Sequence, residues 1–200
     1  MRYGLILAYV CAGSGLVVRV VLAGSGAERL MAIALLLFTT DLARMAIVDL
    51  SNLNSVRKQM GFNPEAAPRL AGFGYCLAVT IVLELLGLLA SWRWVGAGVA
   101  IVMVSQLFFN LFVKISVSTV SVSKISVSAI DSDRTLAQPS IRSWPIVERL
   151  DVLLADTIAL GLTVLWIVTN RPLGIAVAIL AMIIIYLAIK YIPGKQVNHG

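Results

Sequence analysis

Residues 30–50 read LMAIALLLFTTDLARMAIVDL, an apolar run interrupted only by Asp41 and Arg44 before it ends at Asp49. At 1.5 Å per residue such a stretch crosses the roughly 30 Å of a bilayer's hydrocarbon as a helix. Its reading decides the fold. If it spans, the chain holds six transmembrane helices; if the two charges prevent that, it holds five.

Working outward, further apolar runs occupy residues 3–22, 70–90, 94–113, 150–169 and 172–192. The composition agrees: 60% of the 200 residues are hydrophobic, 13% are charged and mean hydropathy is +0.95. A soluble domain carries about a quarter charged residues. The expected fold is therefore an all-α membrane protein, a single integral domain over residues 1–200 with cytoplasmic loops at 51–69 and 114–149. An N-terminal signal peptide is not read. The run behind Arg2 continues past Ser14 through Leu22 without a small-x-small cleavage site.

Charge sets the expected orientation, because Lys and Arg favour the cytoplasmic side. With six spans, eleven of the sixteen basic residues fall on the side of the N-terminus, while Arg19, Arg29, Arg93 and Arg171 fall opposite. Both termini are thus expected inside, and the net charge of +6 reads as topology rather than as affinity for nucleic acid. The membrane implied is a bacterial inner membrane, with the lipid bilayer as the first partner. Trp92, Trp94 and Trp166 mark one expected boundary, and Tyr3, Tyr75, Trp144 and Tyr191 the other. Small residues four apart, such as Ala8 and Ala12 or Gly96 and Ala100, read as close-packing seams within the bundle or between copies.

The chemistry of the chain is restricted. A lone His199 supplies no pair of axial or metal ligands, and Cys11 and Cys76 lie in separate apolar runs without CxxC spacing. No Ser–His arrangement, acid–base carboxylate pair or phosphate loop is present at workable spacing, and Ala23-Gly-Ser-Gly26 lacks the lysine such a loop requires. The sequence reads as a protein that is not an enzyme and carries no cofactor or metal.

Polar side chains at membrane depth carry what functional signal there is, since each charge there costs at least about 2.5–3.5 kcal/mol unless compensated. Counted from the cytoplasmic end of each expected span, Arg44 and Asp156 lie at roughly 9 Å, Gln106 at roughly 10 Å, Asp41 at roughly 14 Å and Asn110 at roughly 5 Å. Asp41 and Arg44 share a helix face. The simplest arrangement has Arg44 bridging Asp41 and Asp156, so that helix 2 is tied to helix 5, with Gln106 and Asn110 around them. This layer is either polar glue or the lining of a pathway for a cation or proton. Glu84, roughly 20 Å up its span with only Arg19 or Arg93 in reach, stands apart. It reads either as a protonated carboxyl donating one hydrogen bond or as an outer proton site, the outer station of a relay whose inner station is Asp41 or Asp156.

Residues 114–128, KISVSTVSVSKISVS, alternate Ile or Val with Ser. Period two argues for extended strand, which belongs at the aqueous surface because open strand edges do not survive in hydrocarbon. Lys114, Ile115, Val117, Lys124, Ile125 and Val127 are candidate partner-docking residues there, by strand addition. The first loop should continue helix 2 as a polar extension and break at Gly61-Phe-Asn-Pro64.

Ser105-Gln-Leu-Phe-Phe-Asn-Leu111, Ala155-Asp-Thr157 and Ile185-Tyr-Leu-Ala-Ile-Lys-Tyr191 resemble segments of multi-pass membrane proteins of cyanobacteria that have no assigned activity. The resemblance implies a thylakoid or plasma membrane and attachment to a photosynthetic or respiratory complex. Two functions follow for test: a small proton- or cation-linked transporter or channel, and an accessory or assembly subunit of a larger membrane complex.

Overall fold

The computed structural model describes residues 2–60, 67–113, 115–118, 140–143 and 150–191. Six helices result: α1 (Arg2–Leu22), α2 (Gly26–Met60), α3 (Ala67–Arg93), α4 (Val95–Phe112), α5 (Leu150–Val168) and α6 (Leu173–Tyr191). Two short strands, β1 (Ile115–Ser118) and β2 (Ser140–Ser143), pair antiparallel with Val117 opposite Ile141. All six helices are long and apolar enough to cross a membrane. They satisfy their own backbone hydrogen bonds, the condition for a chain segment to lie in hydrocarbon. The stretch carrying Asp41 and Arg44 is among them, so the count among the described residues is six.

Three connections are tight, and together they define a hairpin end of the bundle. Ser25 receives the Glu28 backbone N–H at 3.2 Å, an N-cap for α2. Only Trp94 separates α3 from α4, its extended backbone (φ −149°, ψ 107°) turning the chain. Asn170 and Arg171 adopt φ 62° and 65°, the left-handed region, and the Arg171 N–H closes the end of α5 on the Trp166 carbonyl at 2.8 Å. Such a left-handed turn terminates a helix by using carbonyls otherwise left unpaired. Arg171 also pairs with Glu28, clamping this turn to the start of α2.

α2 is the central helix. Half of its apolar window is buried inside the bundle, against 17% for α5 and for α6. Met31, Leu35, Phe38, Leu42 and Ala46 recur every three or four residues and form its buried stripe. α2 also runs well past residue 50, because Leu53 and Val56 bury a further turn against Leu70, Phe73 and Leu77 of α3. This second, smaller core carries α2 and α3 beyond the other helices at the loop end.

Close packing comes from glycine at two crossings. A Cβ on Gly98 would lie 2.7 Å from the Gly87 carbonyl oxygen, so α3 and α4 meet backbone to backbone. On the other side of α3, the ring of Trp92 lies over Gly15 of α1 and donates its indole N–H to the Ala12 carbonyl at 2.7 Å. Trp92, expected to mark a membrane boundary, thus stitches α3 to α1.

Candidate functional site

The intramembrane polar residues divide into three groups. In the first, Asp41 is almost wholly buried, at 2% exposure. Its Oδ2 accepts from Lys190 Nζ at 2.6 Å and from Tyr186 at 3.0 Å, and its Oδ1 accepts from Tyr191. Tyr186 and Lys190, four apart, share one face of the last turns of α6, which lies against α2 there, and Tyr191 reaches Asp41 from the end of the helix. Arg44 donates to the Tyr191 hydroxyl at 2.8 Å and stacks over its ring, 4.9 Å from the centroid.

This corrects the expected arrangement. Arg44 does not bridge Asp41 to Asp156, and helix 2 is tied to α6 rather than to α5. Lys190, one of the eleven basic residues counted on the side of the N-terminus, carries its ammonium on a four-carbon stem to Asp41.

In the second group, Asn110 of α4 donates from Nδ2 to Asp156 Oδ2 of α5 at 2.8 Å. Among the described residues Asp156 makes no ion pair.

The third group surrounds Glu84, which is 3% exposed. Gln106 Nε2 donates to its Oε1 at 2.7 Å, and the Tyr9 hydroxyl donates to its Oε2. Glu84 is therefore not isolated, and its partners are not the expected arginines. Arg19 instead donates to the Trp92 carbonyl, at 2.9 and 2.7 Å, and to the Arg93 carbonyl, closing the C-terminus of α3. Nor is Glu84 an outer residue relative to Gln106. Measured from the hairpin end, Glu84 lies about 14 Å and Gln106 about 17 Å along their helices. Counting from the loop end separated them because α3 projects past α4 there.

Two cavities join these groups. One, of about 310 Å³, lies between α2, α4, α5 and α6, with Asp156, Asn110, Gln106, Tyr186 and Lys190 set among Phe38, Phe109, Met45, Met103 and other apolar walls. The other, of about 20 Å³, is lined by Glu84, Gln106, Thr80 and Asp49 with apolar neighbours. That is room for one water. Gln106 and Phe109 stand in the walls of both. Asp49, expected merely to end its span, faces the small cavity and makes no hydrogen bond or ion pair among the described residues.

Sequence reasoning found Asp41, Arg44, Gln106, Asn110, Asp156 and Glu84. It missed Tyr9, Asp49, Tyr186 and Lys190. A tyrosine inside an apolar run is the available signal, since a buried hydroxyl needs a partner. Of the docking residues, Ile115 and Val117 fall in β1, while Lys114, Lys124, Ile125 and Val127 lie outside the described residues. Among the described residues no three His, Cys, Asp or Glu converge on a common point. Comparison with protein-family models, curated proteins and solved structures finds no match.

Proposed function

We propose that the protein is a small membrane transporter that exchanges a cation for protons, with the larger cavity as the cation chamber and Glu84 as the proton-carrying group. The observation that carries this reading is the position of Gln106. Its amide holds Glu84 at 2.7 Å and its side chain walls the chamber containing Asp156. A cation entering the chamber thus arrives next to a carboxyl with no positive partner of its own. An uncompensated charge in hydrocarbon is costly, so Glu84 holds a proton when the chamber is empty, its O–H then donating to the Tyr9 hydroxyl oxygen. On losing that proton as a cation arrives, it accepts from Tyr9 instead. The small cavity, with Thr80 and Asp49 on its wall, supplies a water-sized step for that proton toward the loop end. Asp41 takes no part in the charge cycle, because Lys190 neutralises it.

The test uses the purified protein in liposomes with an acidic interior and a trapped pH dye. With K⁺, Na⁺ and tetramethylammonium each supplied outside in turn, at least one should produce protein-dependent alkalinisation, lost in Glu84→Gln and in Asp156→Asn. Equal alkalinisation in both variants would remove the exchange reading.

A second reading, an accessory or assembly subunit of a membrane complex, is favoured by the two-stranded β1–β2 ribbon. Among the described residues it has no third strand, which leaves strand edges for a partner to extend. Migration of the gently extracted protein within a larger complex, lost on deleting residues 115–128, supports that reading. Migration as a small homo-oligomer counts against it.

A further inference from the structure

We propose that the 310 Å³ chamber binds a monovalent organic cation with an apolar body of about one ring, and that Asp156 is its counter-charge. The inference rests on the exchange reading and names the class of solute it concerns.

Charge comes first. Of the residues that line the chamber only Asp156 and Lys190 carry charge, and Lys190 Nζ is committed to Asp41 behind the wall at 2.6 Å and to the Tyr186 hydroxyl at 2.9 Å. That pair is neutral as a unit. Gln106 and Asn110 are amides without charge. What remains is the carboxylate of Asp156, half-buried where Glu84 is 3% exposed, with one oxygen held by Asn110. A single uncompensated negative charge matches one positive charge on the occupant, and it repels an anion.

Volume and wall chemistry set the rest. About 310 Å³ lies at the bottom of the roughly 300–1,000 Å³ typical of small-molecule sites, so the body is small. Its walls are aromatic at Phe38, Phe109 and Tyr186, and aromatic rings attract cations whose hydration has been lost. Met45, Met103 and Met182 add unbranched, polarizable side chains that adapt to different shapes. A bare metal ion would find one carboxylate and two amides amid hydrocarbon, too few hard oxygen ligands for its coordination. An ammonium carried on an apolar frame uses both the charge and the walls.

Equilibrium dialysis of the detergent-solubilised full-length protein against labelled benzyltrimethylammonium tests this. The neutral carbon isostere neopentylbenzene and the anion benzoate serve as competitors. Saturable one-to-one binding is expected, displaced by unlabelled cation and by neither competitor, and weakened about tenfold or more in Asp156→Asn. Ala159→Phe, which fills the chamber without changing any charge, should abolish it and covers the case in which Asp156→Asn fails to fold. Displacement by neopentylbenzene as strong as by the cation, preference for benzoate, or full binding in Ala159→Phe would each overturn the proposal. Dialysis involves no gradient. Binding without flux in liposomes therefore sinks the exchange reading alone, and flux of K⁺ or Na⁺ without binding sinks this inference alone.

Discussion

Gln106 donates to Glu84 across the α3–α4 crossing at 2.7 Å, from a position where its side chain also bounds the chamber that holds Asp156. One neutral amide thereby holds the first carboxyl group and bounds the space that contains the second. The crossing permits this because Gly87 and Gly98 bring the two backbones together near the hairpin end, and the helices stay in register down to Glu84 and Gln106.

That crossing should not tolerate bulk. Replacing Gly98 by Leu forces side-chain atoms into the Gly87 carbonyl and Ser91, and should cost about 1–3 kcal/mol or more. A lowered melting temperature in detergent, with proton flux falling in step, is the expected result; Gly72→Leu, where open space surrounds the glycine, should change neither.

The Asp41–Lys190 pair should behave as a structural unit. Lys190→Met leaves a carboxylate at 2% exposure without its cation, and should destabilise the protein by about 2–4 kcal/mol. Adding Asp41→Asn to Lys190→Met should recover most of the loss. Denaturant titrations of the two single variants and the double variant measure the coupling, and additive losses would show that the two residues do not act as a pair.

The Trp92 indole should contribute through its hydrogen bond to Ala12 as well as through packing. Trp92→Phe keeps an aromatic ring over Gly15 but leaves the Ala12 carbonyl without that donor, and a loss of about 1 kcal/mol is expected. If membrane-boundary anchoring were its whole contribution, Trp92→Tyr would restore stability, since tyrosine is as good a boundary residue.

The α5–α6 turn offers a local check. Asn170 sits at φ 62°, a conformation that asparagine visits readily and a β-branched residue does not. Asn170→Val should lower stability by about 1–2 kcal/mol, while Asn170→Gly should leave it unchanged or slightly raised; thermal melts of both variants decide.

The six helices were legible because each is apolar over a full bilayer thickness, a signal that depends on composition alone. The continuation of α2 past residue 50 was legible too and runs to Met60, whereas the expected break at Gly61-Phe-Asn-Pro64 lies outside the described residues. The residues of the polar layer could be named, but not their pairing. Pairing depends on which helices adjoin and on how far each projects, and neither is written in hydropathy. Lys190 and Tyr191 looked like boundary residues because they close an apolar run, and only the packing of α6 on α2 turns them onto Asp41. Asp49 was overlooked for the same reason: only the packing of α2 against α3 and α4 places it beside a cavity.

The account turns on Glu84 exchanging its proton as the chamber fills. Infrared difference spectra of the protein in lipid, recorded on adding benzyltrimethylammonium, read this directly through the carboxylic C=O stretch. The account predicts loss of a protonated-carboxyl band with gain of a carboxylate band, both absent from Glu84→Gln. A spectrum showing that the cation binds while the carboxyl band of Glu84 stays unchanged would contradict it.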